Sequence, residues 1–231
     1  MIIENRHISV WGDSILKGIV RDDTPQGYRV LPSNCVRRFA ESTGSTVSNH
    51  ASFGMTTLKA FERICRSITR KPPQDNDIVL IEFGGNDCDF KWNEISETPD
   101  ESHDPKTPLS LFSETLQSII DVFKSLKLSP VLMSLPPLEP NRYFKWISRG
   151  LSTVNILKWL DDVNKIYRWQ EVYNDTVVDI ARKNDLYLID VRKRFLMSDR
   201  YTSLICDDGI HPNERGHEMM YTTFMDFLHA V

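Results

Sequence analysis

The sequence predicts a three-layer α/β fold in which helices cover both faces of a parallel sheet. Short apolar runs recur along the 231-residue chain, and several are almost continuous in Val, Ile and Leu. Continuous runs are typical of strands buried on both faces, whereas a half-exposed strand alternates apolar and polar residues. Segments with helical spacing of apolar residues separate the runs. This alternation of strand and helix favours a parallel sheet.

The predicted elements follow in chain order. The predicted strands are 7–11 (HISVW), 46–50 (TVSNH), 77–83 (DIVLIEF), 130–135 (PVLMSL) and 186–191 (LYLIDV). The predicted helices are 33–43, 56–70, 108–126, 163–184 and 213–231. In the third of these helices, the apolar residues between Leu109 and Phe123 recur at helical spacing, which indicates one buried face.

Two segments do not fit the alternation. Residues 88–108 are polar, acidic and rich in Pro, so we predict an extended surface loop there. Residues 136–162 follow the fourth strand and carry four aromatic side chains, Tyr143, Phe144, Trp146 and Trp159. We interpret both segments as surface insertions in a single domain that spans residues 1–231.

Composition excludes several classes of protein. A net charge of −4 and a pI of about 5.9 disfavour a nucleic-acid partner, and no run of Lys or Arg indicates an anionic membrane surface. The N-terminal segment has charges at Glu4 and Arg6 and no long apolar core, so we expect neither a signal peptide nor insertion into a membrane. The four cysteines are scattered without a CxxC pair, which favours free thiols and a cytoplasmic location: Cys35, Cys65, Cys88 and Cys206.

Chemistry-bearing residues follow the predicted strands. The segment GDS (12–14) follows the first strand, NHASFG (49–54) ends the second, and GGND (84–87) follows the third. Farther along the chain, DDGIHPN (207–213) follows the fifth. Because parallel strands present their carboxyl ends at one edge of a sheet, we expect these four segments to meet.

Three of these residues suit nucleophilic catalysis. Ser14 lies at a strand-to-helix turn, where its hydroxyl becomes nucleophilic if a base takes the proton. His211 is the candidate base, and Asp208 is placed to accept from its other ring nitrogen. Pro212 stiffens the helix entrance beside them. Singly, each motif is more typical of an ordinary turn or helix cap, so the prediction depends on their joint occurrence.

Three hydrogen-bond donors are candidates for stabilising an oxyanion: the Ser14 amide, the Gly54 amide and the Asn86 side chain. Glycine at position 54 allows a close approach of the backbone. A neutral amide at position 86 donates without repelling the developing charge.

Other catalytic motifs are absent. Leu16 occupies the position where a Gly-x-Ser-x-Gly elbow requires glycine, and the sequence has no phosphate-binding P-loop or GxGxxG fingerprint. It has no HExxH motif, and His211 and His217 are too far apart to share a helix face as metal ligands. We expect His217 to be a partly exposed helix residue.

These blocks resemble those of the SGNH hydrolases, the GDSL-type esterases and acylhydrolases. The correspondence runs through GDSI with Ser14, NHASFG with Gly54, GGND with Asn86, and DGIHPN with Asp208 and His211. Ile15 replaces the usual leucine, a conservative departure. The resemblance implies a flavodoxin-like sheet of five parallel strands ordered 2-1-3-4-5, a Ser-His-Asp triad, an oxyanion hole of Ser14, Gly54 and Asn86, and no cofactor.

The leading functional hypothesis is a serine esterase that removes a small acyl group, such as acetyl, from a carbohydrate or another small ester. A hydrolase of longer chains, such as lysophospholipids or acyl thioesters, is the alternative, and a catalytically silent binding module is a third. We expect Tyr143, Phe144 and Trp146 to bind substrate. The segment 136–162 is expected to wall one side of the pocket near Ser14 and to limit its depth.

Overall fold

A central sheet of five parallel strands organises the chain. The computed structural model describes residues 6–22, 27–70 and 77–230. The strands are β1 (His7–Gly12), β2 (Ile19–Arg21), β3 (Tyr28–Val30), β4 (Thr46–Asn49), β5 (Ile78–Glu82), β6 (Ser129–Met133) and β7 (Tyr187–Ile189). In the central sheet the order is β4-β1-β5-β6-β7, and every neighbouring pair is parallel. This is the predicted 2-1-3-4-5 arrangement, which is therefore confirmed.

Helices follow or precede most of the strands. They are α1 (Ser14–Lys17), α2 (Cys35–Thr43), α3 (Thr57–Arg70), α4 (Trp92–Glu97), α5 (Leu109–Ser125), α6 (Pro140–Ile147), α7 (Thr153–Leu160), α8 (Asn164–Lys183), α9 (Val191–Leu196) and α10 (Glu214–Ala230). A short 3₁₀ helix spans Tyr201–Leu204. No helix in these ranges has the length and apolar character that a membrane crossing requires.

Both faces of the sheet are buried, which explains the continuous apolar runs. In β5, Ile78 and Leu80 pack into a core with residues of α2 and α10. Val79 and Ile81 alternate with them and pack on the opposite face, against α3, α5 and α8. Because successive residues of a strand point to opposite faces, a strand between two helical layers is apolar at every position. The predicted three-layer architecture is confirmed.

Three features differ from the sequence predictions or were not foreseen. Residues 92–97 form helix α4, so the extended loop predicted for 88–108 is wrong there. Its Trp92 and Ile95 are buried in a satellite core with residues of 136–162, which itself folds into α6 and α7. Strands β2 and β3 form an antiparallel hairpin between the α1 turn and α2. Glu4, which supports the expectation of no signal peptide, lies outside the described residues. Val231, the last residue of the fifth predicted helix, also lies outside them.

Candidate active site

The carboxyl edge of the sheet brings Ser14 and His211 together. Ser14 is the first residue of α1 and is separated from β1 by Asp13 alone, and His211 lies in the turn before α10. The Ser14 Oγ and His211 Nε2 atoms are 2.9 Å apart. His211 Nδ1 lies 2.6 Å from Asp208 Oδ2. With the proton on Nδ1 donated to Asp208, the ring nitrogen Nε2 accepts from the serine hydroxyl.

Asp208 is held as an anion although it is fully buried. Its Oδ1 atom accepts from the backbone amides of Ile210 at 3.0 Å and His211 at 3.1 Å. Burial by itself raises the pKa of the Asp208 carboxyl, but the hydrogen bonds and the charge of His211 outweigh burial and hold the pKa below its usual value. A charged aspartate at this position stabilises an imidazolium on its partner.

The turn that carries this pair has a fixed shape. Gly209 adopts a φ of 82°, and a Cβ atom there would lie 2.4 Å from the Tyr143 backbone nitrogen. Only glycine fits such a position without displacing α6. The Glu139 amide donates to the Gly209 carbonyl at 2.7 Å, and the Cys206 amide donates to the His211 carbonyl at 2.8 Å. The aspartate and the histidine are thus anchored to neighbouring elements by the backbone itself.

Asn86 and Ser14 line the same cavity. The Asn86 side chain is half-buried, and its Nδ2 atom donates to Asp13 Oδ2 at 2.8 Å. The next residue, Asp87, is fully buried and accepts from the Thr57 hydroxyl at 2.6 Å and the Thr57 amide at 2.9 Å. This contact ties the GGND loop to the start of α3.

Gly54 is placed differently from Asn86. It adopts a φ of 68°, and a Cβ atom there would meet nothing within 4 Å. Gly54 does not line the cavity. It follows Phe53, whose ring stacks on the His211 ring at a centroid distance of 5.8 Å.

A group of aromatic rings, here called the aromatic shelf, lies beside His211 and consists of Tyr28, Phe53 and Trp146. Tyr28 lies at the centre of the shelf, 5.3 Å from Phe53, 5.8 Å from Trp146 and 5.2 Å from His211 between ring centroids. Burial, together with the negative charge of the nearby Asp208 carboxylate, raises the pKa of the Tyr28 hydroxyl. Phe53 is 56% exposed, so the shelf faces solvent.

A cavity of about 380 Å³ opens at Ser14, Asn86 and His211. Most of its lining is apolar or aromatic. The segment 88–108 contributes Phe90 and Trp92, and α8 contributes Lys165 and Trp169. The segment 136–162 contributes Leu138, Tyr143, Trp159 and Leu160. This segment therefore forms one wall, as predicted.

The predicted substrate-binding residues do not share one location. Tyr143 lines the cavity, and its hydroxyl donates to Asp89 Oδ1 at 2.6 Å. Phe144 and Trp146 both pack against the satellite core, and the Trp146 ring also contacts the guanidinium groups of Arg21 at 4.9 Å and Arg149 at 3.9 Å. Consecutive helical residues point about 100° apart, so neighbours on α6 face different surroundings.

The prediction for His217 was wrong, because its side chain is fully buried. Burial lowers the pKa of His217 to about 4, against a smaller opposing contribution from the backbone of Ile19. Within the described ranges, no group of three or more His, Cys, Asp or Glu side chains is arranged to hold a metal ion.

Two groups at the site were missed by sequence reasoning. Glu82 ends β5 and is 1% exposed beside Asp13, and Tyr28 reaches the site from the hairpin. The position of Glu82 within the apolar run DIVLIEF was a usable signal, because a glutamate is rarely buried in a strand unless it has a specific partner. Nothing in the sequence pointed to Tyr28.

The chain is similar to several known proteins. The sequence profile described as the GDSL-like Lipase/Acylhydrolase family matches residues 10–219. GDSL esterase/lipase WDL1 of Oryza sativa subsp. japonica is 23% identical over 177 residues, which are 76% of this chain and 62% of that protein. This chain thus spans less than two thirds of that relative's length. The uncharacterized lipoprotein YqeF of Bacillus subtilis (strain 168) is 23% identical over 233 residues, covering 95% of this chain and 88% of that protein.

Solved structures share the fold. A lipase/acylhydrolase from Enterococcus faecalis superposes with a TM-score of 0.66 at 19% identity, covering 96% of this chain and 94% of that one. Axe2, an acetylxylan esterase from Geobacillus stearothermophilus, superposes with a TM-score of 0.68 at 19% identity, covering 99% and 96%. The family profile covers nearly the whole chain, and the chain therefore belongs to the GDSL-like lipase/acylhydrolase family.

Proposed function

We propose that this protein is a serine esterase whose nucleophile is Ser14. The observation that carries the proposal is the hydrogen-bond chain from Asp208 through His211 to Ser14, together with the cavity that Ser14, His211 and Asn86 line. A serine hydroxyl within 2.9 Å of an imidazole that is itself oriented by a buried carboxylate suits nucleophilic attack on an ester carbonyl.

The reaction proceeds in two halves. His211 Nε2 takes the Ser14 proton as Oγ bonds to the carbonyl carbon, and the imidazolium then gives that proton to the departing alcohol oxygen. In the second half, His211 Nε2 takes a proton from water as the water oxygen bonds to the acyl carbon, and the imidazolium then returns that proton to Ser14 Oγ as the acyl–Oγ bond breaks and the acid leaves. The Ser14 amide, the Gly54 amide and the Asn86 side chain are the proposed donors to the oxyanion in both halves.

The two sides of the ester are proposed to occupy different surfaces. The acyl group enters the apolar cavity, and the alcohol lies towards the aromatic shelf, because the leaving oxygen must meet His211 Nε2. An exposed ring such as Phe53 offers a flat apolar surface to a sugar or another small alcohol. We therefore propose a small acyl ester of a carbohydrate, the class to which the substrate in the name of the acetylxylan esterase also belongs.

One observation favours the longer-chain alternative. An acetyl methyl is about the size of one water molecule, whose share of liquid volume is about 30 Å³. A cavity of about 380 Å³ is much larger than that. The segment 136–162 therefore limits the cavity less than expected, and acyl groups of several carbons fit the same site. Chain-length dependence on a series from acetyl to octanoyl p-nitrophenyl esters separates the two substrates.

Two further proposals concern the chain as a whole. We propose that residues 1–231 act as one domain, since the described helices pack on one sheet or on the satellite core beside it. We also propose a cytoplasmic location. It is supported by four free thiols, because free cysteines are typical of reducing compartments: Cys35, Cys65, Cys88 and Cys206.

The test of the catalytic proposal is labelling by a fluorophosphonate probe beside ester turnover. Ser14→Ala should abolish both while thermal unfolding stays cooperative. His211→Ala should lose about 10²–10⁴-fold in turnover, the usual contribution of a positioned base. Asp208→Asn should lose less, because Tyr28 and Phe53 also contact the His211 ring. Normal turnover by a folded Ser14→Ala variant would refute the proposal.

A further inference from the structure

Two carboxyl groups lie buried behind the catalytic edge. Asp13 directly follows β1 and is 2% exposed, and Glu82 ends β5 and is 1% exposed. Gly12 pairs with Glu82 in the sheet, and a Cβ atom on Gly12 would lie 3.2 Å from Glu82 Oε2. The missing side chain of Gly12 thus leaves the space in which the Glu82 carboxyl reaches Asp13.

The contacts of Asp13 connect this pair to the proposed oxyanion hole. Asp13 Oδ2 accepts from Asn86 Nδ2 at 2.8 Å, and Oδ1 accepts from the Ile15 amide at 2.8 Å. The Asp13 amide lies 3.5 Å from Glu82 Oε2, which places the two carboxyl groups next to each other. Glu82 Oε1 is buried without a partner among the described residues.

The surroundings disfavour two negative charges here. Both carboxyls are desolvated, and no ion pair of the described part of the chain includes either of them. The titratable groups that face the pair are Asp87, His211, Cys35 and Cys88. Burial raises the pKa of Asp13 to about 6, and burial together with the charge of Asp13 raises the pKa of Glu82 well above its ordinary value.

We propose that Asp13 and Glu82 share one proton, and that this singly charged pair is the device that positions Asn86 for the oxyanion. Glu82 is the protonated member and donates to Asp13, which stays a carboxylate and accepts one amide hydrogen of Asn86. That contact fixes the rotation of the amide, so that its other hydrogen is left for the oxyanion. Asp13 and Glu82 are thus positioning residues, and the inference rests on the proposed esterase function.

A single negative charge on the pair suits both the orientation of Asn86 and the stabilisation of the oxyanion. Without charge on Asp13, the bond that orients Asn86 weakens, because hydrogen bonds to ionised acceptors are stronger than those to neutral ones. With two charges, the pair opposes the oxyanion that forms in the same cavity. The rate of turnover is therefore expected to fall when the pair loses its remaining proton at alkaline pH.

Two variants test the positioning role. Asp13→Asn has one oxygen in place of two, so when that oxygen accepts from the Ile15 amide, its NH₂ group faces the Asn86 NH₂ group and the orienting hydrogen bond is lost. We expect kcat to fall by up to about 10²-fold with little change in KM, since misplacement of one catalytic group costs that much. Glu82→Gln keeps a donor to Asp13 and cannot ionise. At neutral pH, the kcat of Glu82→Gln should stay within a few-fold of that of the unaltered protein. At alkaline pH, the variant should not show the fall in kcat that is expected of the unaltered protein.

Thermal unfolding tests the shared proton without any reference to activity. The folded protein holds a proton that the unfolded chain releases, so its stability should fall as pH rises from about 4.5, the ordinary pKa of a glutamate, towards the raised pKa of the folded pair. Glu82→Gln should reduce that fall, which makes the Tm difference in its favour widen over this range. Glu41→Gln is the matched control on an exposed side chain of α2 and should show no such widening.

The outcomes separate the two proposals. If the unaltered enzyme hydrolyses no ester, the esterase proposal is wrong, while the Tm series still decides whether the proton is shared. Unchanged kcat in Asp13→Asn would overturn the positioning role. A Glu82→Gln Tm that differs from the original by a constant amount at every pH would overturn the shared proton.

Discussion

At the scale of single residues, Asn86 has two amide hydrogens and only one described acceptor. Asp13 takes one of them at 2.8 Å, and the side chain faces the cavity that Ser14 also lines. In the proposed reaction, the second hydrogen of this amide donates to a charge that exists only while the ester carbon is tetrahedral. Interactions that strengthen only in the transition state act on kcat and leave ground-state binding nearly unchanged.

Replacing Asn86 by Ala should therefore lower kcat by about 10²–10³-fold, the usual cost of one oxyanion donor. KM should change little, and steady-state kinetics on p-nitrophenyl acetate measures both parameters. Asn86→Asp is the matched variant of nearly equal size, and it should be worse because its charge opposes the oxyanion. If KM rises and kcat holds in Asn86→Ala, the side chain binds substrate instead.

At the scale of elements, the segments 88–108 and 136–162 fold as one unit through Asp89. Its carboxylate accepts from the Tyr143 hydroxyl at 2.6 Å, the Trp92 indole at 2.8 Å and the Lys106 ammonium at 2.6 Å. Helices α4 and α7 pack beside this centre around Ile95 and Ile156. The cavity wall is thus a satellite core, distinct from the two cores on the sheet.

Substitutions within this wall should change acyl specificity. Trp159 lines the cavity, so Trp159→Ala enlarges it and should shift the preference of kcat/KM towards longer p-nitrophenyl esters. Trp146 lies on the aromatic shelf outside the cavity, so Trp146→Ala is the matched control. We expect its chain-length profile to keep the original shape. Equal shifts in both variants would contradict the assignment of the acyl group to the cavity.

Some elements of the structure could be predicted from the sequence, and others could not. Strand β5 was predictable because Ile78 to Ile81 are apolar at every position, a consequence of two buried faces. Ser14, Asp208 and His211 were predictable as a group because parallel strands bring their carboxyl ends to one edge. Helix α4 was not, since its burial depends on partners some 60 residues away, such as Ile156. The hairpin that carries Tyr28 is too short to leave a periodic pattern.

At the scale of the whole molecule, buried ionisable groups set opposing pH dependences of stability. The pKa of His217 is lowered from 6.5 to about 4, so between these pH values the unfolded chain binds a proton at His217 and the folded chain does not. Stability is therefore lost as pH falls from about 6.5 towards 4. The raised pKa values of Asp13 and Glu82 act in the other direction, because stability is lost as pH rises above their unfolded values.

Removing the imidazole should flatten the acid side of this profile. His217→Leu places an apolar group in the same fully buried site. Between about pH 6.5 and pH 4, the variant should lose about 3 kcal/mol less unfolding free energy than the original protein, from the linkage between the two pKa values. Urea unfolding at a series of pH values measures this slope. If the stability of the variant and of the original protein falls in parallel with pH, the pKa of His217 is the same in the folded and unfolded states.

The hydrogen bond between Ser14 and His211 joins positions that are 197 residues apart in the chain. Helices need only local contacts and form early in folding, whereas contacts of such sequence separation close late. Recovery of ester turnover after dilution from denaturant should therefore lag behind recovery of the helical circular-dichroism signal. The time at which ester turnover returns therefore reports when the two distant parts of the chain that carry Ser14 and His211 have come together.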